Sequence, residues 1–192
     1  GAVPKFIHRH LPAIRTRVVE IDADVISIAR THFHVPEDDD RLQVLLGDAG
    51  QYLADHPDST TVLLADLFGG MGMPRDLYCQ KFFDDCFAAL NAGGVALVHL
   101  WNLDEVFPAY LEAMSKSFSG NILKMPVGQT DSTILIGFQN AMGDLSWSTL
   151  TQRATALEAT YGIEFTSLVG HLELVNSADA GTRASSRTSG TM

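Results

Sequence analysis

Residues 18–33, "VVEIDADVISIARTHF", decide the reading of the fold. Together with the residues before it, "RTRVVEI" (15–21) is rich in β-branched side chains and reads as a strand. "DADVISIARTHF" (22–33) then brings Val25, Ile26, Ile28, Ala29 and Phe33 near one face of a helix. The strand ends on carboxylates, Glu20 and Asp22, where turns are more commonly built from Gly, Asn or Pro. An acid at a strand end can bind hydroxyl groups, or it can cap the helix that follows.

Outward from this unit the chain alternates. "PKFIHRHL" (4–11) reads as a helix with Pro4 in its first turn. "RLQVLLGD" (41–48) is a strand running into a turn, and "AGQYLADH" (49–56) is a short helix. "TTVLLADLF" (60–68) is almost continuously apolar, which predicts a strand covered on both faces. After the glycine-rich "GGMGMP" (69–74), an amphipathic helix is expected over 77–90. It is stopped by "NAGG" (91–94), and a buried strand "VALVHLW" (95–101) follows. A further helix, started or kinked by Pro108, spans "DEVFPAYLEAMSKSF" (104–118). Strands at 121–127 and 132–139 can pair as an antiparallel hairpin across "GQTD", and a last helix covers 147–161. This pattern predicts an α/β fold: a mostly parallel sheet with helices on both faces and an antiparallel C-terminal hairpin. One domain is expected over residues 1–175, with a disordered tail at 176–192 that is poor in large apolar residues.

Composition narrows the function. The chain has 192 residues, 46% hydrophobic and 19% charged, and carries a net charge of −10 with a pI near 4.9. This acidity argues against broad nucleic-acid binding, which needs clustered Lys and Arg, and a small cationic ligand is easier to accommodate. Cys79 and Cys86 do not form a disulfide framework or a zinc-site spacing. No apolar run approaches the roughly 20 residues needed to span a bilayer. A cytoplasmic location is expected. The H-x-H pairs His8/His10 and His32/His34 point their rings to different helix faces and so argue against a metal site. "EDDDR" (37–41) reads as a solvated acidic loop.

In parallel sheets, ligands bind outside the carboxyl ends of the strands. Those ends hold Glu20 and Asp22, then Asp48, then Asp66. Any one of these acids could be a cap; their recurrence at successive strands points to a site.

With these blocks, "LLGDAGQYL", "LLADLFGG" and "FFDDCFAALNAGGVALVHL" in this order and spacing, the chain resembles the spermidine synthase (polyamine aminopropyltransferase) family from residue 1 to about 138. The resemblance implies a Rossmann-like fold of the S-adenosylmethionine-dependent methyltransferase type. It implies a transferase of polyamine biosynthesis that moves an aminopropyl group from decarboxylated S-adenosylmethionine to an amine, with no prosthetic group. Glu20, with Ile21 beside it, would take the ribose hydroxyls, and Asp22 is read as a helix cap. Asp48 would receive the adenine amino group, with the Ala49 N–H donating to a ring nitrogen. Asp66 would bind the attacking amine and accept its proton, and Tyr78 would line the amine pocket. Gly1 corresponds to the last glycine of a loop over the donor's methionine tail, so the first strand and most of that loop are expected upstream. Partners are therefore a small amine and a nucleoside sulfonium, with no nucleic acid or membrane, and a homodimer is the candidate assembly.

The family usually has a second acid three residues after the catalytic Asp; here that position is Gly69, and Leu67 and Phe68 make the loop more apolar. A monoamine or a weakly held diamine is the expected acceptor. A methyltransferase on the same fold, or a non-catalytic nucleoside-binding or oligomerisation module, are the alternative readings.

Overall fold

The structure, a computed structural model, describes residues 1–67, 79–101, 106–128, 131–142 and 146–175. They fall into two compact units, Gly1–His56 and a second beginning at Pro57.

The first unit contains α1 (Ala2–His10), β1 (Thr16–Glu20), α2 (Ala23–Thr31), β2 (Leu42–Leu46) and α3 (Ala49–Asp55). β1 and β2 are parallel, in register from Thr16↔Leu42 to Glu20↔Leu46. Each helix after a strand starts on an aspartate. Asp22 Oδ1 accepts from the Asp24 N–H at 2.8 Å, and Asp48 Oδ1 accepts from the Gln51 N–H at 2.8 Å. Both satisfy N–H groups that the first helical turn leaves without partners. Leu42, Leu53 and Val35 are buried. The apolar stripe expected over 22–33 is only partly used: Val25 and Ile28 on α2 and Phe33 beyond its end are exposed, while Ile26 and Ala29 are half-buried.

The acidic segment 37–41 is not simply solvated, which corrects the expectation from sequence. Glu37 and Asp38 pair with Arg30 near the end of α2. Asp39 accepts from the N–H groups of Arg41 (2.8 Å) and Leu42 (2.7 Å) and pairs with His8 Nε2 at 2.9 Å. Arg41 Nη1 in turn donates to the His8 carbonyl at 3.0 Å. This knot ties α1 to the start of β2. The His8 hydrogen bond, then those from Arg41 and Leu42, hold the Asp39 carboxyl down from 3.8 to about 2. A carboxylate held low in the folded state stabilises it above the ordinary value and ceases to do so as pH falls through the folded one. The knot should therefore loosen as pH drops from 3.8 towards about 2. Amide chemical shifts of His8, Arg41 and Leu42 should move together in that window, and Asp39→Asn should abolish the concerted change. Unchanged shifts in the native protein would show that the knot does not titrate.

The second unit contains β3 (Thr60–Ala65), α4 (Gln80–Ala89), β4 (Leu90–Trp101), α5 (Phe107–Ser117), β5 (Ile122–Pro126), β6 (Ser132–Phe138), α6 (Trp147–Tyr161), α7 (Phe165–Gly170) and β7 (Glu173–Leu174). Its five-stranded sheet has the order β3-β4-β6-β5-β7. β3 and β4 are parallel; the β4–β6, β5–β6 and β5–β7 pairs are antiparallel. The parallel pairs joined through helices and the antiparallel C-terminal hairpin are those expected from sequence. Pro108 occupies the first turn of α5 and starts it. Gly162, in the left-handed conformation at φ +66°, ends α6. α7 and the short β7 have no counterpart in the sequence reading.

"NAGG" stops α4 as expected, but the chain enters β4 at once, at Leu90. Pairing passes from Thr60↔Leu90 to Val62↔Val95, so residues 91–94 form an irregularity within the strand. A Cβ on Gly94 would lie 2.9 Å from the Asn91 carbonyl oxygen and 3.1 Å from that of Thr61, so backbone must approach there closely.

Phe83, Phe118, Leu100, Met114, Ile122, Leu135, Val98 and Cys86 form the fully buried core of this unit. α4 and α5 are also joined by polar contacts. Between the helices Ser117 Oγ donates to Asp84 Oδ1 at 2.6 Å and Gln80 Nε2 donates to Ser117 Oγ at 2.7 Å; within α4, Gln80 Nε2 also donates to Asp84 Oδ1 at 2.9 Å. The two bonds to Asp84, that from Ser117 first and then that from Gln80, hold its carboxyl below the usual range.

β3 departs from expectation. Its apolar run predicted cover on both faces, yet Val62 is 53% and Leu64 49% exposed, while Ala65 is buried. Alternation along the strand puts Val62 and Leu64 on the same face, and in the structure that face is open.

Candidate functional site

The acids singled out from sequence occupy the ends of the parallel ladders. In the first unit the last pair of the β1–β2 ladder is Glu20↔Leu46. Gly47 continues it by donating its N–H to the Glu20 carbonyl at 2.9 Å, and Asp48 follows at once. Glu20, Ile21, Asp48 and Ala49 are thus gathered at one edge. Backbone geometry fixes the two carboxylates. Glu20 Oε1 accepts from the Asp22 N–H at 3.0 Å, and one oxygen of Asp48 is held by its helix. Each carboxylate has a second oxygen with which to accept from a ligand. Ala49 opens α3, where first-turn N–H groups lie beyond the reach of the helix's own carbonyls. Ile21 is 70% exposed, so an apolar side chain stands beside the acids. Asp22 serves as the cap it was expected to be.

Gly1 is the N-cap of α1. A Cβ there would come within 2.3 Å of Val35 Cγ2, so close packing accounts for glycine at this position.

In the second unit Asp66 follows directly after β3. The β3–β4 register ends on Ala65↔Val98, which makes Asp66 and His99 the next neighbours across the ladder. Their side chains meet: His99 Nδ1 lies 2.8 Å from Asp66 Oδ1. Reading the sequence missed His99, which sits within the apolar run "VALVHLW". The signal was present in the alternation of β4. Ala96, Val98 and Leu100 are fully buried on one face, so a polar residue between them belongs to the other. The side chains of His99 and Asp66 are 31% and 72% exposed. A pair this open contributes only about 0–1 kcal/mol to folding. Its placement at a strand end is thus of more interest for chemistry than for stability.

Tyr78 and Gly69, both singled out from sequence, lie outside the described residues. Among the described residues no group of three or more His, Cys, Asp or Glu could hold a metal ion, and no helix is long and apolar enough to cross a membrane. Both cysteines are free. Burial pushes the Cys86 thiol well above its ordinary range, whereas Cys79 is exposed.

Residues 2–127 match the family of the spermine/spermidine synthase domain, a span that crosses both units and includes Glu20, Asp48 and Asp66. The chain is 29% identical over 181 residues to a polyamine aminopropyltransferase of Chromobacterium violaceum, covering 94% of this chain and 69% of that protein. In structure it is similar to human methyltransferase-like protein 13 in complex with SAH, with a TM-score of 0.75 at 24% identity, over 83% of this chain and 77% of that one. It is also similar to a spermidine synthase in complex with the transition state analogue AdoDATO, with a TM-score of 0.55 at 18% identity, over 66% of this chain and 47% of that one. At these identities the two structures speak to the fold, which is the Rossmann-like methyltransferase type expected from sequence.

Proposed function

Because the chain belongs to the spermine/spermidine synthase domain family, we propose that it transfers an aminopropyl group from decarboxylated S-adenosylmethionine to an amine, as a transferase of polyamine biosynthesis. The observation that carries this reading is the position of Glu20, Asp48 and Asp66: each stands at the carboxyl end of a parallel strand and inside the span matched by the family.

In this reading Glu20 accepts hydrogen bonds from the two ribose hydroxyls, a task suited to a carboxylate because it can accept from both. Ile21 packs beside the nucleoside. Asp48 accepts from the adenine amino group and the Ala49 N–H donates to the ring, while Gly1 lies by the donor's tail. Asp66 serves the acceptor. An alkylammonium with a pKa near ~10 is no nucleophile at neutral pH until it gives up a proton. Asp66 orients the ammonium and takes that proton. The amine nitrogen then bonds to the carbon next to the sulfonium as the carbon–sulfur bond breaks. That electron pair stays on sulfur and leaves neutral 5′-methylthioadenosine. The proton on Asp66 passes to water, and the positively charged aminopropylated amine is released. Tyr78 lines the amine pocket. Residues 1–175 act as a single catalytic domain in the cytoplasm, with a homodimer as the proposed assembly.

Gly69 favours a second reading of the donor. Without a second carboxylate the site offers less counter-charge to a diamine, and ordinary S-adenosylmethionine with methyl transfer becomes the alternative. Incubation of the protein with each donor and a panel of amines, with products detected by mass spectrometry, separates these. Aminopropylated products are expected. Methylated products from the ordinary donor alone would replace the reading with a methyltransferase, and binding of both donors without any product would make the chain a non-catalytic module.

A further inference from the structure

We propose that His99 is a positioning residue for the amine-binding carboxylate, holding Asp66 so that one oxygen faces the acceptor; the inference rests on the assignment of Asp66 as the base. The contact is built by strand register. Ala65 and Val98 close the β3–β4 ladder, and the next residue on each strand is Asp66 and His99. Val98 and Leu100 are buried, so His99 is carried on the opposite, half-buried face of β4, where its Nδ1 reaches Asp66 Oδ1 at 2.8 Å. An ionised carboxylate has only acceptor sites, so in this bond the hydrogen sits on Nδ1. The bond commits Oδ1 and restricts rotation of the carboxylate. Oδ2 is then the oxygen presented to the ammonium.

The type of partner matters as much as its position. Lys or Arg could hold the same oxygen, but each would place a permanent positive charge beside a site that must attract a cation. An imidazole, unlike Lys or Arg, can donate an N–H to a carboxylate without carrying a permanent charge. The pair is too exposed to serve mainly as a brace for the fold. A donor that orients without repelling is what an amine site requires.

The test compares His99→Ala, His99→Asn and Asp66→Asn in the full protein, measuring kcat, the acceptor KM and affinity for 5′-methylthioadenosine. Asn retains an N–H at the position of Nδ1, whereas Ala retains none. His99→Ala is expected to lower kcat by roughly 10- to 100-fold, the scale of a misplaced reacting group. Nucleoside affinity should stay within about twofold, and His99→Asn should regain most of the lost kcat. A kcat for His99→Ala within about twofold of the native value, with Asp66→Asn inactive, would overturn the positioning role and leave the base assignment standing. Transfer surviving in Asp66→Asn would remove the base assignment and this inference with it. If His99→Ala does not fold, His99→Asn is compared with His99→Gln, whose amide lies one bond farther out. A clear advantage for Asn supports the role, and equal rates overturn it.

Discussion

Replacing Asp66 by Asn is expected to lower transfer by about 10²- to 10⁴-fold, the usual contribution of a positioned general base. The substitution is nearly isosteric and keeps an acceptor for His99 Nδ1, which lies 2.8 Å from Oδ1 in the native protein. What it loses is the capacity to take a proton and the negative charge that attracts the ammonium. Both losses bear on the amine and neither removes a group proposed to bind the nucleoside, so affinity for 5′-methylthioadenosine should be nearly unchanged. Calorimetry with that nucleoside and product analysis with an amine panel check the two halves of the claim. Transfer at a near-native rate by the Asn variant would remove Asp66 from the chemistry. With Gly69 in place of a second acid, the native protein should also show a high KM for putrescine and prefer a monoamine. Efficient spermidine formation at micromolar putrescine would refute this acceptor preference.

Glu20→Gln should weaken nucleoside binding by roughly 1.5–3 kcal/mol, or about 10- to 100-fold in Kd, the range for hydrogen bonds to a charged group. The amide keeps one acceptor oxygen but replaces the other with a donor, which cannot receive the second ribose hydroxyl. One native bond lies at risk within the protein itself, since Glu20 Oε1 accepts from the Asp22 N–H at 3.0 Å. The amide oxygen can retain it, so β1 and α2 should keep their fold. Calorimetry with 5′-methylthioadenosine, beside a melting curve for each protein, separates lost affinity from lost structure. Equal affinity in the two proteins would withdraw the ribose assignment.

Glu20 and Asp66 are legible in the linear chain because strand ends are marked locally. An apolar run that stops at an acid and resumes with helical spacing locates the end of β1, and Asp48 marks the end of β2; at Asp66 the apolar run continues through Leu67 and Phe68, whereas β3 itself stops at Ala65. Helix boundaries are legible for the same reason. Asp22, Pro108 and the stop after residue 161 act on their own or adjacent turns, and α6 runs over the residues that the sequence indicated. The Arg30 pairs with Glu37 and Asp38 are not legible, because a run of acids looks solvated until a guanidinium is folded against it.

The alternation of elements, the family and the acids at the strand ends can be read along the chain, since each depends on near neighbours or on a linear pattern. Tertiary structure alone decided that His99, 33 residues away, would hold Asp66. That contact depends on which strand pairs with β3 and in what register, and a shift of one residue would turn His99 to the other face. Cover over the apolar runs was decided the same way. Val62 and Leu64 read as buried from their own segment, but whether a side chain is covered depends on what packs across it, and in the fold that face of β3 is open.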